Sequence, residues 1–235
     1  MRDSLSQVLE DALGASVSPC RAASVVLIFV GGEWSSGKST TAVRLASALG
    51  CANVVHTDVV RAALRAMPQS RAVGRALAPS TYETWQLAGD TFSDQALAEG
   101  FEMQCRAILP AMEQCLSEAC DFGKDTVVEG LHLAPEIWGR LASERNALFV
   151  WLTCPESRLR ERIIRRCETT YRGRSADRYL AADRLAKIMA LNALLLRQAQ
   201  DAGLPVIDIE DAGGRRRLAD LVAAHVRACG RSRAD

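Results

Sequence analysis

The run Gly32-Glu33-Trp34-Ser35-Ser36-Gly37-Lys38-Ser39 constrains this chain more than any other feature. It fits G-x-x-x-x-G-K-[ST] at every position. It follows the apolar, β-branched stretch Ser24 to Val30 and precedes residues 38–49, where Val43, Leu45, Ala46 and Leu49 recur at helical spacing. Strand, glycine turn and helix in that order predict a loop whose backbone N–H groups curl around phosphates at a helix N-terminus. The expected nucleotide-binding residues are therefore Gly32, Trp34, Ser35, Ser36, Gly37, Lys38, Ser39 and Thr40, with ATP as the nucleotide. Lys38 would reach the β- and γ-phosphate oxygens, and the Ser39 hydroxyl would ligate Mg2+. Only three of the 29 basic residues are lysines. Lys38 stands where the wide fork of an arginine would not thread the nest.

The alternation continues along the chain. Residues 53–57, 126–129, 148–153 and 204–209 read as further strands, and Asp58 as the N-cap of a helix over 59–67. Residues 68–80 read as irregular. A helical region runs to Leu97, and a second helix from Gly100 to about Cys120 should kink or break at Pro110. Helices are expected at about 134–144, 155–167, 177–201 and 215–228. The prediction is an α/β fold, a five-stranded parallel sheet with helices on both faces. Residues 1–21 form an N-terminal helix, carrying Leu5, Val8, Leu9 and Leu13, and a linker. Residues 22–230 form the main domain, with a helical insertion at about 80–121 and a lid at about 168–178.

With 49% hydrophobic and 24% charged residues in 235, the chain can bury a full core. Its longest apolar stretch, Ala22 to Val30, is about half of what a membrane span needs. The first 21 residues do not read as a secretory signal, so a cytoplasmic address is expected. A net charge of +1 gives no global attraction to nucleic acid or anionic lipid. The expected partner is a small-molecule acceptor, and a homodimer stays open. Eight cysteines without a C-x-x-C pair read as reduced thiols. A guanine-specifying N-K-x-D is absent, which argues against a switch GTPase.

Several side chains beside the loop are candidates for chemistry. Asp58 ends the second strand, where ligands bind in parallel sheets, and can orient an acceptor hydroxyl and take its proton; capping is its plain structural role. Glu129 closes the third strand at the Walker B position and is the second expected metal ligand. His132 lies close behind as a substrate contact or a structural histidine. Arg61 and Arg65, four apart, could clamp an acceptor phosphate or carboxylate; a solvated helix face is the alternative. Arg158, Arg162 and Arg166 read as an exposed charged helix. Arg172, Arg174 and Arg178 suit a lid that closes on ATP, with Arg174 on the transferred group and Arg178 toward the acceptor. Trp34 could stack on base or acceptor, or pack on the insertion. Tyr82, Trp85 and Phe92 read as core of that insertion.

Gly31-Gly32, Gly37-Lys38-Ser39-Thr40, Val55-His-Thr57-Asp58-Val-Val-Arg61 with Leu64-Arg65, and Ser80-Thr-Tyr82-Glu83 form a series. Ile108-Leu-Pro110, Val127-Val-Glu129-Gly130-Leu-His132-Leu, Arg174, Arg178-Tyr179-Leu180 and Pro205-Val-Ile-Asp208 extend it. In order and spacing this series resembles the 2-phosphoglycerate kinase family over about residues 25–210. The resemblance implies an adenylate-kinase-like P-loop fold and transfer of the ATP γ-phosphate to the free hydroxyl of 2-phosphoglycerate. Two departures stand out. Trp34 and Ser35 replace the small residues and glycine of the family loop, and longer members carry an N-terminal domain.

Overall fold

The computed structural model describes residues 4–13, 25–51, 53–170 and 182–230. Five strands, β1 (Leu27–Gly32), β2 (Asn53–His56), β3 (Thr126–Glu129), β4 (Leu148–Thr153) and β5 (Val206–Asp208), form one sheet in the order β2-β3-β1-β4-β5. Every pairing is parallel. The central strand β1 is buried along its whole length, which is why it reads as a continuous apolar run. The chain leaves β1 toward one edge of the sheet and β4 toward the other. A ligand crevice therefore opens at the carboxyl ends of the central strands. This is the five-stranded parallel sheet that the sequence predicts.

The helices are α1 (Leu5–Leu13), α2 (Lys38–Ala48), α3 (Thr57–Ala66), α4 (Arg71–Leu77), α5 (Asp94–Asp121), α6 (Pro135–Glu144), α7 (Glu156–Thr170), α8 (Ala182–Asp201) and α9 (Ala212–Ala228). A 3-10 segment spans Thr81–Leu87. Leu5, Leu9 and Leu13 of α1 are buried in one cluster with Ile28, Val30, Leu45, Val150, Leu218 and Val222. The N-terminal helix is thus built into the main core. No helix among the described residues is long and apolar enough to cross a membrane.

Three local expectations need correction. Residues 71–77 are helical rather than irregular, because the Ser70 hydroxyl accepts from the Val73 N–H at 3.3 Å and caps a turn that buries Ala76 and Leu77. Residue 110 does not break its helix: α5 runs 28 residues with Pro110 inside. Leu97, Phe101, Cys105, Ile108, Met112, Leu116 and Ala119 continue one buried stripe past the proline. Burial of that stripe outweighs the ~3 kcal/mol that an interior proline costs. Third, Asp58 is not the cap, since α3 starts two residues earlier than expected, at Thr57, with His56 as its N-cap. Asp58 lies in the first turn, where a carboxylate is favoured by the helix dipole.

Helix α5 closes on the 3-10 segment through Gly100, where an added Cβ would lie 1.8 Å from the Thr84 carbonyl oxygen. Gly100→Ala should gain ~1 kcal/mol of helix propensity. The backbone clash should cost about 2–3 kcal/mol. A net fall in the urea or thermal unfolding midpoint is expected.

Candidate active site

The parallel register brings three strand ends to one rim: His56 and Val30 both pair with Glu129. The loop after β1 begins here. Gly32 ends the strand, and Gly37 caps α2 with φ 97°, a conformation that favours glycine. Ser35 has φ 69°, a left-handed conformation that favours glycine. The Trp34 backbone is held at both ends by Asn192, whose Oδ1 accepts from the Trp34 N–H at 2.8 Å and whose Nδ2 donates to the Trp34 carbonyl at 3.4 Å.

Lys38 is buried, and its Nζ donates to the Glu33 carbonyl at 2.8 Å. Burial lowers its pKa; Glu129, Asp58 and Glu33 oppose that shift, and Arg166 adds to it. The Ser39 hydroxyl donates to Glu129 Oε1 at 3.1 Å, and His56 Nδ1 lies 2.6 Å from the same oxygen. Ser39 and Glu129 are hard oxygen donors side by side, a set that suits Mg2+. Ser35 Oγ, Ser36 Oγ and Thr41 Oγ1 are buried without a hydrogen-bond partner among the described residues. Buried hydroxyls of this kind fit a loop built to receive phosphate oxygens.

A cleft of about 900 Å³ runs from this loop toward α3 and the 3-10 segment. Lys38, Ser39, Thr40, Trp34, Ser35, Gly37, Asp58, Arg61, Arg65 and Glu129 all line it, so the folded chain brings most predicted site residues together. The Asp58 side chain is 77% exposed and faces the cleft. Desolvation by the surrounding cleft wall would raise its pKa, but the hydrogen bond and charge of His132, with Lys38 and Arg61, hold the carboxyl down at about 2. Arg61 is half-committed. One guanidinium nitrogen donates to the Leu77 carbonyl at 2.9 Å and also to the Pro79 carbonyl. Burial lowers the Arg61 pKa, and neighbouring Arg65 lowers it further.

The structure refines four of these readings. His132 is fully buried and does not line the cleft; it reaches substrate only through Asp58, 3.3 Å from its Nδ1. Arg162 and Arg166 are not simply an exposed face, because both line the cleft, and Arg162 donates to the Ser35 carbonyl at 3.2 Å and pairs with Glu210. Trp34 packs on the insertion, its ring stacked on Tyr82 at 5.9 Å between centroids and 12° between planes. Tyr82 is indeed buried, yet it also forms part of the cleft wall, and Phe92 is 40% exposed rather than core. Arg172, Arg174 and Arg178 lie outside the described residues.

Sequence reasoning also missed Glu33 and Arg44. Burial raises the Glu33 carboxyl pKa although Thr153 donates a hydrogen bond to it. Arg44, two helical turns from Gly37, lines the cleft. Its seven-residue spacing from Gly37 was the available signal.

The chain matches no family model. Over 185 residues it is 30% identical to the 2-phosphoglycerate kinase of Pyrococcus horikoshii, a match covering 78% of this chain and 59% of that protein. The chain is similar to 2-phosphoglycerate kinases. A second relative, the 2-phosphoglycerate kinase of Methanocaldococcus jannaschii, is 26% identical over 189 residues, again covering 78% of this chain and 58% of the relative. The chain thus spans under two thirds of the length of these relatives. Among solved structures, shikimate kinase from Acinetobacter baumannii in complex with shikimate aligns with a TM-score of 0.49 and 16% identity, covering 87% of this chain and 94% of that one.

Proposed function

We propose that this protein is an ATP- and Mg2+-dependent kinase that transfers the γ-phosphate to a hydroxyl of an anionic acceptor, 2-phosphoglycerate or a similar phosphorylated hydroxy acid. The observation that carries this reading is the placement of Asp58 on the cleft wall shared with Lys38, beside Arg61 and Arg65. A phosphate-binding loop alone needs no carboxylate on its acceptor side. The similarity to 2-phosphoglycerate kinases supports the acceptor class.

Bound Mg2+ would neutralise developing phosphate charge, and Ser39 and Glu129 would hold it. The protein's own groups do the rest. Lys38 supplies a fixed positive charge at the loop, while Arg166 and Arg162 add positive charge from α7. Arg65 and the remaining donors of Arg61 attract and orient the acceptor's anionic group. Asp58, ionised throughout ordinary pH, accepts a hydrogen bond from the acceptor hydroxyl and receives its proton as the bond to phosphorus forms.

One feature favours a second acceptor class. Trp34, Tyr82, Leu131 and Leu191 give the cleft an apolar wall, which suits a hydroxyl compound with a less polar body, such as an antibiotic, specialised metabolite or nucleotide. A panel of phosphoglycerates, hydroxy acids, nucleosides and antibiotics separates the two by ADP release, with phosphorus NMR of the product. Stimulation by 2-phosphoglycerate and formation of a bisphosphorylated product is the expected result. ADP release indifferent to every acceptor would instead indicate an ATP-binding regulatory module.

A further inference from the structure

Beneath the cleft lies a buried polar chain that the proposed reaction has not yet used. Gln104, on α5, donates from Nε2 to the Ala76 carbonyl at 3.0 Å and to the Pro79 carbonyl at 3.2 Å. The opposite orientation of the amide would set its oxygen against two carbonyl oxygens, so the two acceptors fix which end is which. Gln104 Oε1 therefore faces His132 Nε2, 3.0 Å away, and that nitrogen must carry a proton. In a neutral ring Nδ1 would then be a lone pair, with the Thr57 hydroxyl as its one neighbouring donor and the Asp58 carboxylate nearer still. It lies 3.3 Å from Asp58 Oδ1 and 3.4 Å from Thr57 Oγ1. A lone pair facing a carboxylate is repulsive; a second ring proton turns the same contact into an ion pair.

We propose that His132 is a positioning residue held as an imidazolium, whose Nδ1 proton engages one oxygen of Asp58 and leaves the other for the acceptor hydroxyl. This role in the reaction rests on the kinase reading above. The ring is fully buried, so its charge needs compensation. The groups facing it are Asp58 and Thr57 from α3, Thr81 Oγ1 at 3.4 Å from Nε2, and Gln104 and Phe101 from α5. Phe101 stacks on it at 5.9 Å and 17°, presenting a ring face that favours a cation. Lys38 and Arg61 bear on Asp58.

The Pro79 carbonyl that orients Gln104 also accepts from Arg61. One short backbone segment, from Ala76 to Thr81, thus sets both the carboxylate that meets the acceptor hydroxyl and the guanidinium beside its anionic group.

The chain has three histidines, so nitrogen-15 labelling of histidine gives a spectrum that can be assigned by single substitutions. Both ring nitrogens of His132 should carry protons in the folded protein near neutral pH, and Asp58→Asn should abolish that signature. An unprotonated Nδ1 in the wild type overturns the proposal. In turnover, His132→Leu should lower kcat about 30-fold with the KM for ATP unchanged. His132→Asn, whose amide can donate from near the Nδ1 position, should recover several-fold of the loss. The double variant with Asp58→Asn should be no slower than Asp58→Asn alone, because both act through one carboxylate. Fully multiplicative losses would also overturn the proposal. The NMR arm needs no acceptor, so absent turnover counts against the kinase reading and a neutral ring against the imidazolium.

Discussion

Lys38→Met should lower phosphoryl transfer by about 10³-fold or more, while the protein stays folded. The side chain is 8% exposed and anchored by the Glu33 carbonyl, so its ammonium is fixed in place before any substrate arrives. A preorganised charge in a partly dehydrated cleft is worth far more to a developing anion than a mobile one in water. Methionine keeps the length and apolar stem and removes only the charge. Because burial is the largest influence on the Lys38 pKa and acts against the charged form, its removal should not lower the unfolding temperature. ATP should raise the unfolding temperature of the wild type and raise that of the variant much less. A variant with ordinary kcat, or one that unfolds under assay conditions, would contradict this account. Lys38→Arg should fare little better, since a planar fork must displace the Glu33 carbonyl contact to fit.

What could be foreseen from the sequence divides along a physical line. The phosphate loop, β3 and its closing Glu129, and the buried β1 were legible because their signals are local: residue types at fixed offsets and runs of β-branched side chains. Pro110 misled because a local penalty of a few kcal/mol was overridden by a buried stripe spanning 28 residues, a tertiary effect that no window around the proline reveals. Arg162 and Arg166 misled for a related reason. Their four-residue spacing puts them on one face of α7, but only the packing of α7 on the loop decides that this face meets Ser35 rather than solvent. His132 carried the right chemistry in the wrong layer. Sequence placed it two residues past the Gly130 that follows β3, and burial against Phe101 and Gln104 moved it behind Asp58 instead of into the cleft. Helix α4 was missed because Pro68, Gly74 and Pro79 read as breakers, while a single serine cap and two buried side chains sufficed for two turns.

Asp58→Asn should slow turnover by at least ~100-fold, with nucleotide binding retained. With a pKa near 2, Asp58 is too weak a base to remove an alcohol proton in advance. Its work is to aim the hydroxyl and to receive the proton late, when the oxygen is already bonding to phosphorus. Asparagine preserves the size of the side chain and the cap-proximal position in α3 but cannot take that proton. Two pH measurements then separate this role from a purely structural one. The acid limb of the wild-type rate profile should not follow Asp58, which stays ionised down to about pH 2. Stability should follow it: a carboxyl whose folded pKa lies below the ordinary 3.8 stabilises the fold fully above that value and loses the contribution as pH falls toward 2. The unfolding midpoint of the wild type should therefore exceed that of Asp58→Asn at pH 5 and converge with it below pH 3. A difference that persists undiminished to pH 2 would mean that the Asp58 charge, and with it the pairing to His132, contributes nothing to the fold.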